Sequence, residues 1–207
     1  TVNINTKNPQ IRLEGRNLNI KSIKTNVALK ALINDQFLID DLKITTKEIK
    51  LKDIIALTRL IKNSTQLFIL DTIIKNGVVI ANIDLSFDEK GLIKENYKIE
   101  GSVKKTKLNI LNQLRLDNLN FKFKIKKNMY SLNQINTQLN DIKISSPLVE
   151  IKKNKNSFFV NGQILNEEKI FDISEPKPVF ANLFNDFDIQ KIELHSKNNF
   201  SFNINKN

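Results

Sequence analysis

A chain of 207 residues, 40% hydrophobic and 27% charged, is long enough to bury a core and too apolar to remain disordered. Its formal charge of +11 is carried almost wholly by lysine, with arginine only at Arg12, Arg16, Arg59 and Arg115; lysine lacks arginine's flat fork, which argues against sequence-specific recognition of nucleic acid and for a solvated basic face. No cysteine is present, which excludes disulfides and thiolate-held metals, and no apolar run reaches the ~18 residues of a membrane-spanning helix.

The chain opens inside a strand-like pattern (Val2, Ile4) with neither an initiator methionine nor signal-peptide regions. It is therefore expected to be a segment of a larger protein. From there the dominant period is two. Apolar and polar residues alternate in Leu18-Asn-Ile20, Val27-Ala-Leu29, Ile83-Asp-Leu85-Ser-Phe87, Leu108-Asn-Ile110, Leu119-Asn-Phe121-Lys-Phe123-Lys-Ile125 and Phe200-Ser-Phe202-Asn-Ile204. Successive side chains of a strand point to opposite faces, so these runs predict a twisted, largely antiparallel sheet with one apolar face and one wet one. Lys122, Lys124 and Lys126 then share an outer stripe. Turns are predicted at Asn34-Asp35, Asp88-Glu-Lys-Gly91, Lys127-Asn128 and Asn154-Lys-Asn156.

Two segments depart from this period. Lys50 to Lys62 places Leu51, Ile54, Ile55, Leu57, Leu60 and Ile61 at helical spacing, with Thr45 or Thr46 as the expected cap. After Ser174-Glu-Pro176, the stripe Val179, Phe180, Leu183, Phe184 and Phe187 predicts a second short helix. The chain also echoes itself. Asp41-Leu-Lys-Ile-Thr-Thr46 returns as Asp141-Ile-Lys-Ile-Ser-Ser146, with Ile49-Lys-Leu-Lys52 answered by Val149-Glu-Ile-Lys152. A shorter echo, apolar-x-Gly, occurs at Leu13-Glu-Gly15, Ile99-Glu-Gly101 and Val160-Asn-Gly162. These matches predict one elongated segment over 1–207, built from two repeat units of about 1–110 and 111–207.

No constellation marks an enzyme. His195, the single histidine, sits in the strand-like Lys191-Ile-Glu-Leu-His-Ser196, with no Gly-x-Ser-x-Gly elbow to build a triad on. The carboxylate neighbours Asp40 with Asp41, Glu167 with Glu168 and Asp186 with Asp188 read as solvated charge. Asp84 to Gly91 lacks the ligand order of a calcium loop. The expectation is a non-enzyme without metal or cofactor.

Three stretches together resemble the AsmA-like family of bacterial envelope proteins (AsmA, TamB and YhdP types). They are Ile73-Ile-Lys-Asn-Gly-Val-Val-Ile-Ala-Asn-Ile-Asp-Leu-Ser-Phe-Asp-Glu-Lys-Gly-Leu-Ile93, read as strand, turn, strand; Tyr97-Lys-Ile-Glu-Gly-Ser-Val103 running into Lys107-Leu-Asn-Ile110; and the strand-to-helix passage Ile49-Lys-Leu-Lys-Asp-Ile-Ile55. The resemblance implies a half-open β-groove, apolar within and polar outside, in a periplasmic protein anchored to the inner membrane through a segment outside this chain. It further implies that phospholipid acyl chains move along the groove toward the outer membrane. Further implied partners are adjacent segments of the same protein and inner- and outer-membrane proteins. On that implication the groove lining is Leu18, Ile20, Ile83, Leu85, Phe87, Ile99, Leu119, Phe121, Phe123, Ile125, Phe200, Phe202 and Ile204. A scaffold for outer-membrane-protein assembly, without an open lipid path, is the alternative, and a closed lipocalin-like barrel is a third.

Overall fold

The computed structural model describes residues 1–13, 15–28, 39–61, 65–110, 114–139, 142–172 and 191–205. In chain order the elements are β1 (Val2–Lys7), β2 (Gln10–Leu13), β3 (Arg16–Val27), β4 (Ile39–Thr46), β5 (Ile49–Lys50), α1 (Leu51–Ile61), α2 (Thr65–Ile73), β6 (Ile74–Ser86), β7 (Lys98–Ile110), β8 (Leu114–Lys126), β9 (Met129–Leu139), β10 (Ile142–Lys153), β11 (Ser157–Asp172) and β12 (Lys191–Asn205). The twelve strands form one antiparallel sheet in the order β1-β3-β4-β6-β7-β8-β9-β10-β11-β12, with β2 beside β3 and β5 beside β6. From β6 to β12 each strand pairs with the one before it in the chain, as antiparallel pairing permits, whereas β1 pairs past β2 with β3 and β4 pairs past β5 with β6. Among the described residues β1 and β12 do not pair, so the sheet is open, and the closed-barrel expectation is set aside.

The hairpin signals act as expected where they are described. Asn128 takes a left-handed φ of 57° in the Lys127-Asn128 connection, leaving Lys126 opposite Met129. Asn154–Asn156 joins β10 to β11, and Asn154 N–H donates to Ser157 O at 2.8 Å. In the β6–β7 connection Asp88 Oδ1 accepts from the N–H groups of Lys90 (3.0 Å) and Leu92 (2.8 Å), and Gly91 adopts φ 79°. Asparagine tolerates the left-handed region better than other non-glycine residues, whereas a β-branched side chain does not. Asn128→Val is thus expected to lower the denaturation midpoint by an amount worth about 1–2 kcal/mol, and Asn128→Gly to leave it nearly unchanged. The Asn34-Asp35 turn and the helix around Val179–Phe187 lie outside the described residues.

Three expectations are corrected, and one helix is added. The stretch from Ile73, read as strand, turn, strand, holds one unbroken strand from Ile74 to Ser86 that runs through Asn76-Gly77. Gly77 (φ 134°) absorbs a register shift there, because a Cβ would lie 2.3 Å from Thr106 Oγ1 and 2.8 Å from Leu51 Cδ1. The helix runs from Leu51 to Ile61, but Thr45 and Thr46 do not cap it. Both belong to β4, and Thr46 Oγ1 accepts the Ala81 N–H at 2.8 Å. The second helix of the described chain is α2, a segment the periodicity left unassigned. Finally, Val149-Glu-Ile-Lys152 stays in strand β10, whereas its counterpart leaves β5 at Leu51 and enters α1. The sequences diverge there: Asp53-Ile-Ile-Ala56 sustains a helical stripe, and Lys153-Asn-Lys-Asn156 is turn-forming.

The hundred-residue echo itself is a strand in both places. Leu42, Ile44 and Thr46 lie on one face of β4, and Ile142, Ile144 and Ser146 on one face of β10. Thr46 and Ser146 are both buried hydroxyls, each at a point where the ladder breaks. β4 ends at Thr46, and β10 shifts register at Pro147, which has no N–H to donate.

Candidate functional site: an uncovered apolar sheet face

Cross-strand partners share a face, so the register states which side chains stand together. One row crosses all ten strands of the main path: Thr6, Ile23, Ile44, Ile83, Ile99, Ile125, Tyr130, Ile151, Val160 and Phe202. Six of these are isoleucine. The next row along the strands faces the other way and is polar without exception: Lys7, Ser22, Thr45, Asn82, Glu100, Lys124, Ser131, Glu150, Asn161 and Ser201. Nine strand pairings would not sort polarity this way by chance. The sheet has one apolar and one hydrated side.

All thirteen residues expected from the sequence fall on the apolar side. Ile83, Ile99, Ile125 and Phe202 belong to the row above. Phe123 and Phe200 stand in the neighbouring row Ala81, Gly101, Phe123, Leu132, Val149, Gly162, Phe200. Phe121 faces Val103, Leu119 faces Thr106, Leu85 faces Leu42, and Ile204 faces Phe158. Ile20 pairs with Thr46 and Leu18 lies two residues back on the same face, while Phe87 continues the Ile83–Leu85 parity and bridges to Ile93. Lys122, Lys124 and Lys126 point the other way and are exposed.

Sequence alternation missed several members of the face because the strands are bulged. Val103-Lys-Lys-Thr106, Leu116-Asp-Asn-Leu119 and Leu132-Asn-Gln-Ile135 each place two residues between inward positions. In each, one residue takes a left-handed φ: Lys105 (51°), Asn118 (52°) and Gln134 (53°). Asn120 Oδ1 accepts the Lys105 N–H at 3.0 Å, and Asn136 Nδ2 donates to Gln134 O at 3.1 Å, so amide side chains satisfy groups that the bulges free. Beyond the bulges the apolar face resumes as Ile74, Leu108, Leu116, Leu139 and Ile142. The readable signal was apolar-x-x-apolar in three adjacent strands.

Two of the three glycine echoes coincide in the sheet. Ile99 and Val160 share one row, and Gly101 and Gly162 share the next. In both, the phenylalanine of the following strand reaches over the glycine: a Cβ would lie 2.9 Å from Phe123 Cζ at Gly101 and 2.7 Å from Phe200 Cζ at Gly162. Gly15 is different, lying in the β2–β3 turn with φ 73°.

Little of the described chain covers this face. Among the described residues the strands contact their sheet neighbours, and only α1 and α2 pack on β5, β6 and β7. There a small core forms from Ile49, Ile55, Ile74 and Val103 with the buried hydroxyl of Thr106. Elsewhere Ile23, Ile44, Ile83, Ile99, Ile125 and Ile151 are only half-buried, and Phe202 is 48% exposed. The chain exposes 14582 Å², against about 9,900 Å² expected of a compact monomer of 23.9 kDa. The excess is what an open single layer would present.

The hydrated side carries the charge. Lys98 and Glu100 pair at 2.7 Å, and this hydrogen bond, with the charges of Lys98 and Lys124, holds the Glu100 carboxyl below the usual range against the opposing effect of desolvation. Among the described residues no group of three or more His, Cys, Asp and Glu is placed to hold a metal. Asp40 and Asp41 sit in β4, with the Asn26 amide donating to Asp41 Oδ2 at 2.6 Å. Glu167, Glu168 and His195 lie within the spans of β11 and β12, while Asp186 and Asp188 lie outside the described residues. The two edges differ. β1 and β2 follow one another along β3, interrupted at Asn8 and Pro9, whereas β12 offers an unbroken edge of 15 residues. No family model, curated protein or solved structure matches this chain.

Proposed function

We propose that this chain is a lipid-conducting segment whose apolar face carries phospholipid acyl chains, in an envelope bridge of the AsmA-like kind. The observation that supports this reading is a row, apolar in nine of its ten strands, on a face that the described residues leave largely uncovered. Moving an acyl chain into water costs ~0.8 kcal/mol per methylene, on the order of 10 kcal/mol for a sixteen-carbon tail. Isoleucine and phenylalanine side chains offset that cost without a directional contact, so no position holds the lipid tightly. At ~4.8 Å per strand the ten-strand row extends roughly 43 Å, perpendicular to the strands. That is also the direction in which an edge strand such as β12 would accept adjacent segments of the same protein. Periplasmic location, an inner-membrane anchor outside this chain and delivery toward the outer membrane belong to the same proposal.

Photo-crosslinking in cells tests it. A crosslinker at Phe123 or Ile99 is expected to capture phospholipid, while one at Lys124, adjacent in sequence but on the hydrated side, captures none. Absence of lipid at every inward position would favour the scaffold reading, in which neighbouring protein covers the face. Native mass spectrometry of the purified chain supplies an independent check through co-purified phospholipid.

A further inference from the structure

The helix α2 is unusual in what it leaves uncovered. Phe68, Ile69 and Leu70 are 57%, 50% and 41% exposed, and three consecutive residues at about 100° per step spread over a wide arc of the helix. They form a convex knob, which suits a fluid layer better than it suits a shaped protein pocket. The flanking charge is net positive. Lys47, Lys50, Lys52 and Lys75 are exposed against Glu48, Lys75 Nζ donates to Thr72 O at 2.9 Å, the carboxylate of Asp71 is held by Arg59 at 2.8 Å, and Asp53 is half-buried. Arg59 also sits 5.7 Å over the Phe68 ring, so the knob carries a cation at its base. At nine residues α2 is about 13 Å long, too short to span a bilayer and sufficient to lie in its interface.

Position adds to the case. α2 packs on β6 and β7, at the end of those strands where the row Ile74, Leu108, Leu116, Leu139, Ile142 closes the apolar face. We propose that α2 docks this end of the sheet onto an anionic lipid surface, with Phe68, Ile69 and Leu70 entering the acyl boundary and the lysines meeting the headgroups. This places a membrane at one margin of the apolar face, and in that respect it rests on the lipid-path reading. Burial of apolar area and attraction to anionic headgroups act together in such an element.

The chain contains no tryptophan, so a single substitution makes a local reporter. Phe68→Trp is expected to shift its emission to the blue with phosphatidylglycerol-containing vesicles and much less with phosphatidylcholine alone. Leu92→Trp reports from an exposed site in the β6–β7 connection, beyond the far end of a 13-residue strand roughly 40 Å long, and is expected not to shift. Phe68→Ser with Ile69→Ser should weaken vesicle partition at least about tenfold, with circular dichroism and the melting midpoint retained. Equal shifts at both reporters, equal binding to both vesicle types, or no vesicle binding by the unaltered chain would each overturn the docking role. None of these readouts requires lipid to travel along the sheet. Failure here with crosslinks retained at Phe123 therefore removes the dock and leaves the path, and the reverse result does the opposite.

Discussion

Replacing Val103 with aspartate is expected to cost at least about 4 kcal/mol of folding stability in urea denaturation, while Phe202→Asp costs about 1 kcal/mol or less. Val103 is 6% exposed and stands in the row Ile49, Val79, Val103, Phe121, at the part of the face where α1 packs. A carboxylate there loses its water and gains no cation. Phe202 lies on the same face but at the open edge, 48% exposed, so an aspartate in its place keeps most of its hydration. The contrast tests the uncovered face directly. Comparable losses at both positions would mean that the whole face is a closed core, and the lipid path would fall with that result.

The second large effect concerns the paired glycines. At Gly101 an added Cβ would lie 2.1 Å from the Ile80 carbonyl oxygen and 3.0 Å from Ala81 Cα, both backbone atoms held by the β6–β7 ladder. At Gly162 the nearest atom is Phe200 Cζ at 2.7 Å, the far end of a side chain that can turn away, followed by Leu148 O at 3.0 Å. Gly101→Ala is therefore expected to cost about 3 kcal/mol, near the upper end for overpacking, and Gly162→Ala about 1 kcal/mol. Denaturation midpoints compared at equal slope would check the order. A larger loss at Gly162 would mean that the edge pair β11–β12, not the centre of the sheet, is the tightly packed region.

Alternation along the chain already determined which way most side chains face. Leu119 to Ile125 needed nothing beyond its own period, because a strand has only two sides and one-residue slips expose the apolar set. The turns at Asp88–Gly91 and Lys127-Asn128 were legible for a similar reason: asparagine, aspartate and glycine satisfy backbone groups or accept left-handed φ locally. Twelve of the thirteen face residues lie in such alternating runs, and Ile99 lies in the stretch Tyr97–Val103 that carries the resemblance. Local sequence could not place the bulges at Lys105, Asn118 and Gln134, since each exists to keep a strand in register with its neighbour and is satisfied by amides such as Asn120 and Asn136. Nor could it show that Asn76-Gly77 continues a strand, because the reason lies in Thr106 and Leu51, distant in sequence and in contact only after folding. The helix α2 escaped for the same cause: its apolar residues are not on one face, and Phe68, Ile69 and Leu70 are left outside because β6 and β7 meet its other side. Composition and period settled the existence of an apolar face. Tertiary structure decided that the face stays open among the described residues, because there only α1 and α2 pack against it and the sheet's two end strands do not pair.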